Sequence, residues 1–209
     1  MSMEYRDAFQ IEFNVSRETM ELLGEYAALL CKWNPAINLV SKSTISTLWQ
    51  RHFHDSAQIF QFQPESPCHW VDLGSGGGFP ALVLAVTAKE VSPETRFTLV
   101  ESDLRKCTFL RTVIRDLEVN ATVITARIEE IDGLGADILT ARALASLEKL
   151  LEFANLHLSP SGTAIFPKGD KFLEEIIEAK ANWRFDLEEI PSKTNPTGAI
   201  LKIGGISRV

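Results

Sequence analysis

A chain of 209 residues with 45% hydrophobic content can bury one sizeable core, plus a small appended element rather than a second full domain. Its formal charge of −7 excludes attraction of the whole molecule to nucleic acid, so any such surface has to be a local basic patch. Three cysteines (Cys31, Cys68, Cys107), far apart and never in a Cys-x-x-Cys, argue against a disulfide framework and structural zinc; no metal site is expected. No apolar run reaches membrane-spanning length, and Met1 to Gln10 lacks the basic-then-apolar pattern of a signal peptide, which predicts a cytoplasmic protein without membrane association.

In chain order, Ser16 caps a predicted helix that runs to about Asn34, with Met20, Leu23, Ala27 and Leu30 on one face and Asn34-Pro35 stopping it. A second predicted helix, Thr44 to Phe62, repeats the pattern through Leu48, Trp49, Ile59 and Phe60. These helices precede the first strand, so residues 1–66 read as a helical cap and 67–209 as the main domain, together one compact unit, with Pro64 to Pro67 as the boundary. Strands are predicted at Trp70–Leu73, Phe97–Glu101, Thr122–Thr125, Asp137–Thr140 and Thr163–Phe166. Between and after them lie predicted helices at Pro80–Ala88, Asp103–Leu117, Arg127–Ile131, Leu147–Leu158 and Lys171–Lys180. That alternation is the signature of an α/β fold with a mostly parallel sheet. Phe185–Ile190 and Ala199–Ile203 are joined without a helix and have to be antiparallel, which gives a seven-stranded sheet with an antiparallel edge strand. The tail from Gly204 to Val209 is left unassigned.

The first strand runs into Gly74, Gly76, Gly77 and Gly78, and Phe79-Pro80 then opens an apolar helix. A tight turn needs one or two glycines; four leave backbone exposed to a ligand with no Cβ in the way. The loop has no Gly-Lys-Ser/Thr, and no Lys or Arg lies between Asp72 and Thr87, so a nucleotide triphosphate is disfavoured. The spacing is Gly-x-Gly-x-Gly rather than the dinucleotide fingerprint, and Glu101 ends the next strand, where an acid can accept both ribose hydroxyls. Asp72 and Glu101 around an adenosine pocket suit S-adenosylmethionine, which carries a sulfonium and an ammonium instead of a pyrophosphate.

The run Val71-Asp72-Leu73-Gly74-Ser75-Gly76-Gly77-Gly78-Phe79-Pro80 resembles the cofactor loop of the small-subunit ribosomal RNA methyltransferase G family. Further runs resemble that family in the same order. They are Lys32-Trp33-Asn34, Arg51-His52-Phe53-His54-Asp55-Ser56, Arg105-Lys106, Arg127-Ile128-Glu129-Glu130, Arg142-Ala143-Leu144-Ala145-Ser146 and Lys168-Gly169. One departure is Ala81, where many members carry another glycine. The resemblance implies a Rossmann-like S-adenosylmethionine-dependent methyltransferase fold in a bacterial cytosol. It implies methyl transfer to N7 of a guanine in 16S ribosomal RNA; the RNA is expected within the small ribosomal subunit, with free RNA left open, and a monomer is the default expectation. By matching position, Gly74 and Phe79 line the cofactor site, Ile128 and Glu129 lie near the adenine, and Arg142 sits beside the methionine or the target base.

Each of these residues has a structural reading as well: Ile128 and Phe79 as core, Glu129 as a solvated helix residue. Guanine N7 already offers an in-plane lone pair, so no general base is required and none is assigned. Alignment of the reactants can supply most of the acceleration. The candidate RNA patch is Lys32, Arg51, Arg105, Lys106, Arg111 and Lys168, although Arg51 with Asp55 is also an ordinary i,i+4 helix pair. His52-x-His54 is not read as a metal pair, since that spacing points the rings apart on a helix. Two other classes stay open: a nicotinamide-dependent oxidoreductase of similar sheet, disfavoured because neither Tyr5 nor Tyr26 is followed four residues later by Lys, and a non-catalytic, cofactor-sensing ribosome-assembly factor.

Overall fold

The computed structural model describes residues 3–209. Its strands are β1 (His69–Leu73), β2 (Arg96–Glu101), β3 (Ala121–Thr125), β4 (Ala136–Ala141), β5 (Leu158–Lys168), β6 (Trp183–Pro191) and β7 (Ala199–Arg208). They form a seven-stranded sheet in the order β3-β2-β1-β4-β5-β7-β6. β1 through β5 run parallel, and β7 is antiparallel to both β5 and β6. The chain steps outward from β1 to β3 and then returns to β4 on β1's other side. A crevice therefore opens outside the carboxyl ends of β1 and β4, where ligands bind in open α/β sheets.

The parallel strands read as near-continuous apolar runs because both faces are covered; every residue of β1 is buried. Alternate residues serve opposite layers. Trp70, Phe97, Leu99 and Ile138 face a core built by the amino-terminal helices, α4 (Ala81–Val91) and α5 (Leu104–Leu117). Val71, Leu73, Val100 and Leu139 face α6 (Leu147–His157) and α7 (Phe172–Ala179). Asp103 caps α5 by accepting from the Arg105 and Lys106 N–H groups, and Ser16 caps α2 (Arg17–Ile37) by accepting from Thr19 N–H.

Four sequence expectations need correction, and one element was not foreseen. Asn34-Pro35 does not stop α2, which continues to Ile37 and ends at Asn38 in the left-handed region, its N–H bonded to Asn34 O. Pro35 is exposed in the last turn, where its missing N–H removes a single ladder bond. The segment expected as one helix from Thr44 to Phe62 is a chain of pieces: a 3-10 turn Lys42–Thr47, a π turn Trp49–His54, α3 (Asp55–Ala57) and a 3-10 turn Gln58–Phe62. Ser56 donates to His52 O at 2.6 Å within it, a back-bond that competes with the regular ladder. The expected helix Arg127–Ile131 is only a 3-10 turn, Ile128–Glu130. Pro80 is not inside α4 but immediately before it. The unforeseen element is α1 (Met3–Phe13), anchored by the fully buried Phe9. The unassigned tail is the end of β7, with Arg208 opposite Trp183.

Candidate functional site

The glycine loop is held from below and behind. Gly74 and Ser75 donate backbone N–H to Val100 O at 2.8 and 3.2 Å, and Gly78 N–H bonds Ser75 O at 2.6 Å. Gly74, Gly76 and Gly78 all have positive φ, at 66°, 52° and 91°. A Cβ on Gly78 would sit 2.4 Å from Leu82 and 2.7 Å from the Tyr26 hydroxyl, whereas one on Gly76 would meet nothing nearer than 3.8 Å. Gly78 is thus a packing necessity, and Gly76 leaves open space above the loop. Tyr26, from α2, donates its hydroxyl to Gly77 O at 2.5 Å and stacks on Phe79 with ring centroids 5.3 Å apart. Burial holds the Tyr26 phenol well above its usual range, so it stays a donor.

Asp72 lies fully buried beneath the loop. Thr140 Oγ1 donates to its Oδ1 at 2.7 Å, while Oδ2 has no partner among the described residues. Burial pushes its carboxyl up to about 6, with the Ser75 and Thr140 hydroxyls and the Arg142 charge opposing that rise. Glu101 ties the loop to β2: Oε2 accepts from Gly76 N–H at 2.9 Å, and Oε1 accepts from Ser102 and Asp103 N–H at 2.8 and 2.9 Å.

Above the loop is a cleft of about 580 Å³, walled by Gly74, Gly76 and Phe79 on one side and by Arg51, His52 and Arg142 on another. Arg142, at the carboxyl end of β4, donates Nη1 to Asp55 Oδ2 at 3.1 Å and to Arg51 O at 3.3 Å, and Nη2 to His52 Nδ1 at 2.9 Å. Its guanidinium also lies 5.1 Å from the Phe79 ring centroid. Because arginine can only donate, His52 Nδ1 has to be the lone-pair nitrogen, and Nε2–H donates to Thr44 Oγ1 at 2.8 Å. Burial, then the Arg142 and Arg51 charges, push this imidazole down to about 3, so it is neutral at physiological pH.

Of the residues singled out in the sequence, Gly74, Gly76, Phe79, Arg51, Arg142 and Lys168 meet at this cleft. Asp72, Gly78 and Glu101 lie under or behind it and shape it without lining it. Ile128 and Glu129 do not line it either: Ile128 is buried in the opposite core layer, its carbonyl accepting from His157 Nε2, and Glu129 is exposed. The basic residues do not form one patch on the cleft. Lys168 Nζ bonds Ala145 O and pairs with Glu175, Arg105 pairs with Asp103, and Arg111 donates to Val123 O and Thr125 Oγ1. Lys32 and Lys106, on α2 and α5, lie outside the cleft lining, and Trp33 packs against Phe109. Asp55 does not pair with Arg51, because its carboxylate is taken by Arg142. His52 and His54 point apart, His54 packing on Phe9 and Phe13. Tyr26, Lys171 and Thr194 were not singled out for the site from the sequence, and Asp55 was read only as a helix partner of Arg51; the four come from separate segments, and no local spacing links them.

A glycine loop after β1, a cleft at the switch point and a reversed β7 define the fold of S-adenosylmethionine-dependent methyltransferases. Solved structures agree. A SAM-dependent methyltransferase from Aquifex aeolicus superposes with a TM-score of 0.56 at 12% identity, covering 78% of this chain and 93% of that one. A TehB-like SAM-dependent methyltransferase from Corynebacterium glutamicum gives 0.54 at 13% identity, covering 75% and 88%. Within that class, the chain belongs to the rRNA small subunit methyltransferase G family (GidB), whose model matches residues 19–199. A ribosomal RNA small subunit methyltransferase G from Ruegeria sp. (strain TM1040) is 51% identical over 95% of this chain and 97% of its own length. One from Rhodospirillum centenum is 49% identical over 95% and 90%. Among the described residues, no helix is long and apolar enough to cross a membrane, and no cluster of three or more His, Cys, Asp or Glu could hold a metal ion.

Proposed function

We propose that this protein transfers a methyl group from S-adenosylmethionine to N7 of a guanine in 16S ribosomal RNA, working in the cytoplasm as a monomer on the small ribosomal subunit. When bound, the cofactor offers a methyl on cationic sulfur that the N7 lone pair displaces, sulfur leaving as a neutral thioether and the base taking the positive charge. The observation that carries the reading is the state of His52. Its Nδ1 is occupied by Arg142 and its Nε2 by Thr44, so the cleft's imidazole is not free to take a proton. An acceptor that needs no proton removed, as guanine N7 does not, suits a site whose imidazole is held in this way.

The chain's own residues fit the cofactor. Open space at Gly76 admits a polar ligand against the backbone, and the partnerless Asp72 Oδ2 places unscreened negative charge beneath it, which favours a sulfonium and an ammonium. In this reading Gly74, Gly76, Gly78 and Phe79 shape the methionine end, and the adenosine extends beyond the cleft toward Glu101, Ile128 and Glu129. Arg142 orients the reacting groups. Arg51 and Lys168 at the cleft, with Lys32, Arg105 and Lys106 further out, engage phosphate, and residues 1–66 act as one unit with 67–209.

The test is incubation with labelled S-adenosylmethionine and undermodified small subunits, then hydrolysis of the separated RNA and nucleoside analysis. Label in 7-methylguanosine is the expected result. Label in another nucleoside, in protein, or nowhere overturns the reading. A parallel incubation with free 16S RNA decides between the naked RNA and the particle as substrate.

A further inference from the structure

Arg142 directly follows β4, yet its principal partners come from elsewhere. Two lie in the segment before the sheet: Asp55, opening α3, and His52, in the π turn. Asp55 is itself held from the far end of the chain. Its Oδ1 accepts from Thr194 Oγ1 at 2.6 Å, in the connection between β6 and β7, and from Gln58 Nε2 at 3.1 Å. Gln58, buried, fastens the same connection by accepting Lys193 N–H at 2.9 Å through Oε1. Three segments distant in sequence thus converge on one guanidinium that lines the cleft.

We propose that Asp55 and His52 are positioning residues that hold Arg142 in one orientation across Phe79, and that Thr194, by orienting the Asp55 carboxylate, completes the clamp. The geometry separates their tasks. Asp55 supplies the countercharge to one terminal nitrogen of Arg142, and neutral His52 accepts from the other. Those two contacts, with the Arg51 carbonyl, use three of the five guanidinium N–H groups and fix the plane of the fork. The remaining two N–H groups stay available to a ligand in an orientation the protein has set beforehand. Thr44, donated to by His52 Nε2, sets the tautomer that this arrangement requires.

The first arm of the test needs no cofactor. In nitrogen-15 spectra, the Arg142 guanidinium, assigned by its loss in Arg142→Ala, should give separate Nη resonances in the wild type. In Asp55→Ala they should collapse to an averaged line. Thr194→Val, which deletes only the hydroxyl donor, should broaden them, and Thr194→Ser should restore them. Thermal unfolding of each variant identifies any that fail to fold, and Thr194→Val keeps the question open to decision if Asp55→Ala does.

The second arm rests on the methyl-transfer reading and uses calorimetric binding of S-adenosylmethionine. Asp55→Ala should weaken affinity on the order of 10-fold to 100-fold in the wild type, but by no more than about 2-fold when Arg142 is already Ala, because residues acting through one group are not additive. Unchanged Nη resonances in a folded Asp55→Ala, or an equal affinity loss in both backgrounds, would overturn the clamp. Failure of the wild type to bind S-adenosylmethionine would overturn the methyl-transfer reading instead, and the spectra would still decide the clamp.

Discussion

Replacing Asp72 by Asn should stabilise the ligand-free protein at neutral pH and lower its stability by about 1 kcal/mol in acid. The carboxyl is fully buried, with one oxygen partnerless, and burial raises it from an ordinary 3.8 to about 6. A carboxylate raised on folding binds more protons in the native state, so stability is fully present below the unfolded value and is lost as pH rises through the folded one. At 1.36 kcal/mol for each pH unit between those two values, ionised Asp72 costs the native state about 3 kcal/mol at pH 7. Asn keeps the acceptor for Thr140 Oγ1 and carries no charge; its extra buried N–H donors cost about 1 kcal/mol of the gain. Urea unfolding of both proteins from pH 4 to pH 8 measures the difference. The curves should coincide near pH 4 apart from that constant offset, diverge between pH 4 and 6, and run parallel above. A difference independent of pH would refute the reasoning, since it would mean that Asp72 ionises as readily folded as unfolded. Cofactor affinity should fall in the same variant, which makes this a site where binding is kept at the expense of stability.

The loop offers a sharper contrast between two neighbouring glycines. Gly78→Ala combines a left-handed φ with overlap against Leu82 and Tyr26 and should lose about 3 kcal/mol or more in chemical denaturation. Gly76→Ala has a positive φ but free space, so it should lose only about 1–2 kcal/mol, while calorimetry shows cofactor binding abolished by the methyl group in the cleft. Tyr26→Phe removes the donor to Gly77 O and should cost about 1–3 kcal/mol, read from the midpoint of urea unfolding. Ala143 sits at φ 52° directly after Arg142, and Ala143→Gly should raise stability by up to about 1 kcal/mol, read as a higher melting temperature.

The glycine loop and the parallel strands were legible because their causes are local: positive φ demands glycine, and a strand covered on both faces is apolar throughout. The antiparallel ending was legible too, since a connection without a helix cannot cross over. What escaped reading was non-local or irregular. The π turn at Trp49–His54 keeps an apolar stripe close enough to helical that periodicity passes straight through it. Asp55 has a local partner available in Arg51, and its actual one, Arg142, is 87 positions away. Glu101 was placed correctly at a strand end, but three backbone N–H groups turn toward its carboxylate, a geometry that no residue pattern announces. The tail through Gly204 and Gly205 hid a strand, because Gly205 bends it at φ 60° while pairing continues to Arg208.

The position of β7 has a consequence for synthesis. It is made after the other six strands, yet it lies between β5 and β6, so until it emerges β6 has no neighbour and β5 keeps an open edge. A nascent or truncated chain that stops before Ala199 therefore leaves β6 wholly unpaired and one edge of β5 open, and is a target for proteases and for edge-to-edge aggregation. Thr194 reaches Asp55 from the connection that β7 anchors, so this contact at the cleft depends on the pairing of that strand.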